Sequence, residues 1–262
     1  MDRFVAQTGI PFYTTPQGRG VLPDDHPLSF LTMRSSAFKD ADLILIVGTR
    51  MNYVIGHAAP PRFAAGATIA RIDIDADEIA SSPRKVDIGI VGDCKAVLQQ
   101  LIDLLPGRVD AANYGPWREM LRAGEAKKKG ETAGGMAMNK TPIHPLRLCE
   151  EVKNFMKRDA ILCVDGQEIL NYGRQSMPTF APAHRLNSGP FGMMGVGMPF
   201  GVGAKAACPD KQVIVVHGDG SFGLNAMELD TAVRHKLPIL VVISLNGGWT
   251  GDPKREKPGR DL

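Results

Sequence analysis

The clearest pattern of apolar and polar positions lies between residues 212 and 250, in the second half of the chain. Two short apolar runs flank a glycine-rich turn and a segment with apolar residues at helical spacing. The pattern predicts a strand at 212–217, a turn at 218–221, a helix at 224–235 and a strand at 239–245. This is one parallel βαβ unit. Because the carboxyl ends of parallel neighbours meet at one edge of a sheet, we expect Asp219 and Asn246 to face the same crevice.

The alternation of strands and helices along the whole chain predicts an α/β fold with two doubly wound domains, each built on a parallel sheet. The first domain is expected over residues 1–106 and the second over residues 141–262. The predicted elements are strands at 11–14, 43–48, 68–75, 88–91 and 160–164, and helices at 93–105 and 146–156. Residues 107–140 are polar, contain glycine and include the basic run 127–129, and they are interpreted as a solvated linker.

Composition adds only broad limits. The chain has 262 residues, 44% hydrophobic and 23% charged, as expected for a globular protein of two domains. A net charge of +3 does not indicate a nucleic-acid partner. The longest apolar runs have strand length and the first residues lack a signal-peptide core, so we expect no membrane span and a cytoplasmic location. The cysteines lack zinc-site or disulfide spacing and are interpreted as packing residues. They are Cys94, Cys149, Cys163 and Cys208.

The turn after the strand at 212–217 admits two interpretations. In the first, Gly218, Gly220 and Gly223 form the G-x-G-x-x-G pattern of a dinucleotide site. Such a site also uses an Asp or Glu about 20 residues further on to bind the ribose hydroxyls. The second strand here ends in Asn246, and an amide is a poorer acceptor for two hydroxyls. The pattern alone is weak support for a dinucleotide.

In the second interpretation, Asp219 and Asn246 supply oxygen ligands to Mg²⁺, with the backbone carbonyl of Gly248 as a third ligand and a cofactor diphosphate completing an octahedron. The glycines then have a steric purpose. They let phosphate oxygens approach the backbone N–H groups of Gly220 and Ser221, together with the Ser221 hydroxyl. A glycine turn with a structural role alone is the remaining alternative.

The sequence GDG at 218–220, followed by Asn246, resembles the cofactor motif of the thiamine-diphosphate-dependent enzymes. An asparagine pair ends that motif in the family. Leu245 replaces the first asparagine here, and Asn246 retains the second, which is the metal ligand in the family. The resemblance implies thiamine diphosphate contacts at Gly218, Asp219, Gly220, Ser221, Asn246 and Gly248, and Mg²⁺ ligands at Asp219, Asn246 and Gly248.

Two further segments are similar to parts of this family. Residues 189–199 resemble the segment that contacts the cofactor pyrimidine, which implies a Gly192 carbonyl bond to the 4′-amino group and a Met194 side chain that supports the bent cofactor. Alternatively, these methionines only pack a helix N-terminus, as we expect for Met193 and Met198. The turn after the strand at 160–164 touches the diphosphate in the family. Gln167 and Glu168 are therefore both candidates, and Gln167 is preferred because a carboxylate beside phosphate is unfavourable.

Two histidines near these segments, His184 and His217, have no partner visible in the sequence and are interpreted as structural.

The first half resembles the central domain of the same enzymes, which can hold FAD, ADP or part of coenzyme A. Asp73 and Asp75 stand at a predicted strand end where a nucleotide could bind, although they could equally cap turns. Sequences at 18–27, 50–53 and 60–63 and the tail 246–250 are more similar to 2-hydroxyacyl-CoA lyase and oxalyl-CoA decarboxylase than to acetolactate synthase. The expected substrate is therefore a 2-hydroxyacyl-CoA, with a 2-oxo acid as the alternative.

The family places its catalytic glutamate in an N-terminal pyrimidine-binding domain, which this sequence does not contain. No catalytic residue is therefore assigned within the chain. Both domains are expected to be truncated relative to the family, and we interpret the sequence as an internal portion or one half of a split enzyme. The resemblance implies an N-terminal domain or separate subunit as partner and a homo-oligomer. A non-catalytic binding chain is a further alternative.

Overall fold

The computed structural model describes residues 1–247, which form two compact units. The first unit comprises Met1–Thr15 and His26–Lys128, and the second comprises Pro16–Asp25 and the chain from Lys129 onward. This division differs from the predicted boundaries at 106 and 141. The short segment Pro16–Asp25 belongs with the second unit although it precedes most of the first in sequence.

The first unit contains a three-stranded parallel sheet. Its elements are α1 (Asp2–Thr8), α2 (Arg34–Asp40), β1 (Leu43–Val47), β2 (Thr68–Asp73), α3 (Ala76–Ala80), β3 (Ile88–Val91) and α4 (Cys94–Leu104). The strand order is β1-β2-β3, and the central strand β2 is buried along nearly its whole length. Asp93 caps α4 by accepting the N–H of Ala96 at 2.9 Å. The predicted strands at 43–48, 68–75 and 88–91 and the helix at 93–105 are confirmed.

The predicted strand at 11–14 is wrong. Phe12 forms a single parallel bridge with Ser29, and no ladder continues from it. Pro11 has no N–H to donate to a neighbouring strand, which disfavours pairing at this point.

The predicted linker contains a long helix, α5 (Gly115–Ala137). Its buried residues within the first unit, Leu121 and Glu125, are four positions apart and lie on one face. Most other positions are exposed, so the sequence has the polar composition of a linker while forming a helix. The division between the two units falls inside this helix.

The second unit contains a four-stranded parallel sheet. Its elements from residue 145 onward are α6 (Pro145–Phe155), β4 (Ile161–Asp165), α7 (Glu168–Ser176), β5 (Arg185–Leu186), α8 (Gly197–Ala207), β6 (Val213–Gly218), α9 (Asp219–Asn225), α10 (Glu228–Arg234) and β7 (Leu240–Ser244). The strand order is β5-β4-β6-β7, and every neighbouring pair is parallel. The predicted βαβ unit and the α/β fold class are confirmed.

The predicted helix at 224–235 is two helices, α9 and α10, separated at Ala226 and Met227. In addition, α9 begins at Asp219, so the predicted turn at 218–221 is the end of β6 and the first turn of a helix. Glycine and asparagine are poor residues for a helix interior, and α9 contains both. The apolar spacing therefore did not indicate that a helix begins at Asp219.

The order in which strands are added to the second sheet changes sides at β4, although all the strands are parallel. From β4 the chain passes through α7 to β5 on one side, and then through α8 to β6 on the other side of β4. Parallel α/β sheets bind ligands at such a switch point, just beyond the carboxyl ends of the strands. The crevice is therefore expected after Asp165 and Gly218.

The core of the second unit surrounds β4 and β6, whose residues are almost all buried. Its buried members are Cys149, Val152, Leu162, Val164, Ile169, Met177, Ile214 and Val216. These residues come from α6, from α7 and the residue that follows it, and from both central strands, so both helices pack on the sheet that ends at the crevice.

The segment Pro16–Asp25 is bound to the second unit by two acidic residues. Asp24 accepts the N–H of Thr179 at 2.7 Å. Asp25 accepts two hydrogen bonds from Arg158, at 2.8 Å and 3.1 Å. Across residues 1–247, no helix combines the length and apolar character needed to cross a membrane.

We predict that Cys149 and Cys163 resist alkylation in the folded protein. Both side chains are fully buried, and burial raises the pKa of Cys163 to about 12 and raises the pKa of Cys149 above its ordinary value. Only the thiolate reacts readily with iodoacetamide at about pH 8. Mass spectrometry after brief treatment would measure each site, with the partly buried Cys208 as internal comparison. Equal labelling of Cys163 and Cys208 in the native protein would contradict the described core.

Candidate functional site

A small open cleft lies at the switch point of the second sheet. Its walls are residues 166–169 after β4, residues 218–221 at the end of β6, Met194, and Ser244 and Asn246 at the end of β7. Three different strand ends and one intervening loop thus contribute to a single cavity. The crevice expected from the βαβ pattern is present, with Asp219 and Asn246 both in its lining.

Most of the residues predicted to contact a cofactor meet in this cleft. They are Gln167, Met194, Gly218, Asp219, Gly220, Ser221 and Asn246. Gly192 is two residues from Met194, at the end of a short 3-10 turn with φ 66°, and it does not line the cleft. Gly248 lies outside the described residues, so its assignment stays a prediction.

Asp219 is the first residue of α9, and its carboxylate bridges two parts of the cleft. Oδ1 accepts the N–H of Gly220 at 2.9 Å, and Oδ2 accepts the N–H of Gly247 at 2.9 Å. The second bond ties the end of β6 to the segment after β7, where Asn246 lies. The carboxylate therefore has one oxygen toward each of the two strand ends that were predicted to share a metal.

Glu168 also lines the cleft and contacts a predicted metal ligand. Its Oε2 accepts a hydrogen bond from Nδ2 of Asn246 at 2.5 Å. Sequence reasoning preferred Gln167 because a carboxylate would repel phosphate, and Gln167 lines the cleft as expected. Glu168 was the second candidate in the same turn, and it lines the cleft as well.

The chemistry of these donors suits a small hard cation. Carboxylate and amide oxygens are preferred by Mg²⁺, whereas zinc sites are built mainly from Cys and His. Within residues 1–247 there is no group of three His, Cys, Asp or Glu side chains that could hold a metal by themselves. Asp219 and Asn246 could therefore serve a cation that takes its remaining ligands from phosphate, water and backbone oxygen.

Ser221 is buried in the wall of the cleft and holds the strand ends together. Its hydroxyl lies 3.0 Å from the carbonyl oxygen of Gly218 and 3.2 Å from that of Asp165. The hydroxyl was predicted to contact phosphate, but in this structure it is directed to the backbone. Its predicted contact with a ligand through the backbone N–H stays a prediction.

His217 lies beneath the cleft at the end of β6 and is fully buried. Its Nδ1 is 3.2 Å from the Ser221 hydroxyl and 3.6 Å from Oδ2 of Asp165. Burial lowers the pKa of His217, and the negative charge of Asp165 opposes this change. Burial therefore favours the neutral imidazole, and it agrees with the structural role expected for His217.

Asp165 was not identified from the sequence, although it ends β4 directly behind the cleft. Its side chain is 3% exposed, and Oδ2 accepts N–H groups from Gly195 and Gly197, both at 2.8 Å. An acidic residue that ends an otherwise apolar strand is the only local signal for such a role. Its partners lie about thirty residues further along the chain, so the contact itself required the fold.

The strand-end aspartates of the first unit make local contacts. Asp73 accepts hydrogen bonds from Arg71 at 2.8 Å and from the N–H of Asp75 at 3.2 Å. Asp75 in turn caps α3 by accepting the N–H of Asp77 at 2.9 Å. These contacts support the turn-capping interpretation, and binding of FAD, ADP or coenzyme A here stays a prediction.

Comparison with known families agrees with the chemistry of the cleft. A model described as "Thiamine pyrophosphate enzyme, central domain" matches residues 1–101. Another, described as "Thiamine pyrophosphate enzyme, C-terminal TPP binding domain", matches residues 170–256. The chain belongs to the thiamine pyrophosphate enzymes. The resemblance inferred from the GDG sequence is thereby confirmed, thiamine pyrophosphate being another name for thiamine diphosphate.

Individual relatives in this family have different named activities. The mouse protein 2-hydroxyacyl-CoA lyase 1 is 34% identical over 94% of this chain and 43% of its own length. The acetolactate synthase large subunit IlvG of Mycobacterium tuberculosis is 35% identical over 94% of this chain and 44% of its own length. Oxalyl-CoA decarboxylase of Escherichia coli is 29% identical over 96% and 44%. The chain therefore spans less than half the length of these relatives.

We predict that Glu168→Gln weakens the requirement for metal in diphosphate binding. Glutamine keeps an oxygen acceptor for Asn246 but removes a negative charge, and one charge at close range changes affinity by about fivefold in a solvated site. Calorimetry with inorganic diphosphate should show tighter binding without Mg²⁺ and weaker binding of Mg²⁺ itself.

Glu151→Gln is the matched control, because this exposed glutamate lies outside the cleft and pairs with Arg147 on α6. Equal metal-free affinities of the Glu168→Gln variant and the wild-type protein would contradict a role for the Glu168 charge in the cleft.

Proposed function

We propose that the chain carries the diphosphate and Mg²⁺ half of a thiamine diphosphate site within a carbon–carbon lyase or carboligase of the 2-hydroxyacyl-CoA lyase type. The convergence of Asp219, Asn246 and Met194 on one cleft is the observation that carries this proposal. A dinucleotide site would need an acidic residue in place of Asn246. The family match adds independent support for thiamine diphosphate.

In the proposed site, Asp219 and Asn246 hold Mg²⁺ together with the backbone carbonyl of Gly248, and the metal holds the diphosphate. Gln167 and the backbone N–H groups of Gly220 and Ser221 would bind phosphate oxygens, with the Gly220 N–H exchanging its bond to Asp219 for one to phosphate. The bound cofactor supplies the electron sink for cleavage or formation of a carbon–carbon bond. The residues of this chain contribute binding and orientation.

Met194 has a different part in the proposed site. It is the apolar side chain in a lining that is otherwise largely glycine and polar residues, with Ile169 as its apolar companion. An unbranched, adaptable side chain is suited to support a bent cofactor. The carbonyl of Gly192 is proposed to accept a hydrogen bond from the cofactor amino group, and this assignment is carried by the family resemblance.

The substrate class, a 2-hydroxyacyl-CoA, is a separate proposal. The relatives are of two kinds and do not decide it by themselves. Some are named 2-hydroxyacyl-CoA lyase and others acetolactate synthase, at similar identity. The similarity of residues 50–53 and 60–63 to the acyl-CoA enzymes favours the former. In the structure, Asn52 accepts the N–H of Val54 at 3.0 Å and Arg62 donates to the Val54 carbonyl at 2.9 Å. These residues therefore shape one turn of the first unit.

Several other features of the complete protein stay predictions. They are a partner N-terminal domain or subunit, assembly of identical chains, a cytoplasmic location, and FAD, ADP or coenzyme A at the first unit. Acetolactate synthase and a non-catalytic binding chain remain the alternative functions.

We predict that Asp219→Ala or Asn246→Ala reduces Mg²⁺-dependent binding of thiamine diphosphate by about a hundredfold or more. Removing one hard oxygen ligand disturbs both the charge and the geometry of a magnesium site, and even outer partners of metal ligands cost about 10- to 100-fold. Isothermal titration calorimetry with and without Mg²⁺ would measure the loss.

The control is Asp230→Ala, which removes an exposed carboxylate paired with Arg234 on α10. Unchanged affinity in both cleft variants would contradict the metal assignment. Tight binding of NAD by the wild-type protein would instead support the dinucleotide interpretation.

We predict that the complete enzyme cleaves a 2-hydroxyacyl-CoA into formyl-CoA and an aldehyde or ketone, and joins formyl-CoA to a carbonyl compound in reverse. Both this substrate set and pyruvate should be assayed under identical thiamine diphosphate and Mg²⁺ concentrations. Acetolactate formation without turnover of any acyl-CoA would overturn the substrate class and leave the cofactor assignment intact. Cofactor binding without turnover of either set would favour the non-catalytic alternative.

A further inference from the structure

The loop that carries Met194 has little regular structure of its own. It follows a 3-10 turn at Gly189–Phe191, and helix α8 begins only at Gly197. Gly192 and Gly195 both have positive φ, at 66° and 92°. Glycine-rich backbone is costly to order, so a fixed position for Met194 requires contacts from outside the loop.

Asp165 provides two such contacts from the end of β4. Its Oδ2 accepts the N–H of Gly195 and the N–H of Gly197, each at 2.8 Å. Both bonds are made to one oxygen of a buried carboxyl group, and hydrogen bonds to carboxylates are stronger than those between neutral groups. They hold the backbone on the carboxyl side of Met194 at two points separated by one residue.

Asn225 holds the same loop from the opposite side. Its Nδ2 donates to the carbonyl oxygen of Gly195 at 2.7 Å. The N–H and the C=O of Gly195 are therefore both bound by side chains, one from β4 and one from α9. Because α9 begins with Asp219, this clamp connects the position of Met194 to the element that carries the predicted metal ligand.

The two glycines are needed for this close approach. A Cβ atom on Gly195 would lie 2.9 Å from Cβ of Leu224, and one on Gly197 would lie 2.5 Å from Cε1 of His217. Contacts below 3.0 Å are not tolerated without movement of the neighbour. The loop thus packs directly on α9 and on the end of β6, with the Asp165 carboxylate in the space that remains.

Burial of a carboxylate is unfavourable unless hydrogen bonds compensate for lost hydration. Asp165 is 3% exposed, and the two hydrogen bonds accepted by its carboxylate both come from the Met194 loop. A purely structural strand end could use an apolar residue at lower cost. The use of a buried carboxylate here is explained if the loop must be held in one conformation.

We infer that Asp165 is a positioning residue, which acts through Gly195 and Gly197 to fix Met194 in the cleft and so selects the thiamine part of the cofactor. This inference rests on the proposed function. It separates the site into two parts. Asp219 and Asn246 serve the metal and diphosphate, whereas Asp165 and Asn225 serve the organic part of the ligand.

The test compares thiamine diphosphate with inorganic diphosphate, both titrated calorimetrically with Mg²⁺ into the protein. Asp165→Ala should weaken thiamine diphosphate by about tenfold or more, the range for residues that orient a binding group, while inorganic diphosphate changes by less than about twofold. Asp165→Asn retains a neutral acceptor and should fall between Asp165→Ala and wild type. Asn225→Ala, at an exposed position, should change selectivity in the same direction by a smaller factor.

Backbone amide exchange gives a second measurement that does not depend on a ligand. Loss of the Asp165 acceptor should speed exchange at Gly195 and Gly197 by about tenfold or more, since each amide loses a charge-assisted bond. The matched control is Asp24→Asn, another buried acidic residue of this unit that accepts a backbone N–H, from Thr179. It should leave both glycine amides and ligand selectivity unchanged.

The outcomes separate the inference from the function on which it rests. If the wild-type protein binds neither ligand with Mg²⁺, the proposed function is contradicted. If wild type binds both and the Asp165 and Asn225 variants keep its selectivity, the inference alone is overturned. A parallel loss of both ligands in Asp165→Ala, with selectivity unchanged in Asn225→Ala, would show that Asp165 only supports folding and would also overturn it.

Discussion

The pairing register of β4 with β6 determines where this site can form. Asp165 is opposite His217, so both strands reach the crevice at the same level. Gly166 follows with φ 118°, and a Cβ at this position would lie 3.1 Å from the N–H nitrogen of Gly218. The segments that follow β4 and β6 leave the sheet side by side, and their first residues form opposite walls of the cleft. A slip of one residue would turn the alternating side chains of β6 to the other face of the sheet.

Carboxylates surround this crevice, and each described one already has a hydrogen-bond donor. Asp219 accepts the N–H groups of Gly220 and Gly247, and Glu168 accepts the amide of Asn246. Binding of a cation would therefore exchange existing contacts for metal–oxygen bonds. The net gain is smaller than the gross strength of those bonds, as it is for hydrogen bonds that replace others. Glu168 therefore affects how strongly a cation binds, because its hydrogen bond to Asn246 would be exchanged on binding. Gln167 was preferred over it only as a phosphate contact.

Local sequence patterns were sufficient for the parts of the fold that depend on local order. The apolar runs of β6 and β7 and the connection between them placed Asp219 and Asn246 in one crevice. Polar composition was misleading for α5, where a narrow buried face leaves most of the helix exposed. Asp165 could not be assigned because its partners, Gly195 and Gly197, come only after helix α7, strand β5 and the loops that join them. Such a contact depends on how distant segments are brought together in the fold, and the sequence of β4 alone does not show this.

The contribution of Pro16–Asp25 to the second unit has a consequence for how this protein can be recombined with its relatives. The unit is continuous in space but is built from two separate stretches of sequence. A single crossover placed between residues 26 and 128 would inherit Asp25 from one parent and Arg158 from the other. Gly20 and Ala181 would also come from different parents. The Ala181 carbonyl oxygen lies so close to Gly20 that a residue with a side chain does not fit there. Exchange of the cofactor-binding unit as a functional module therefore calls for two matched crossovers.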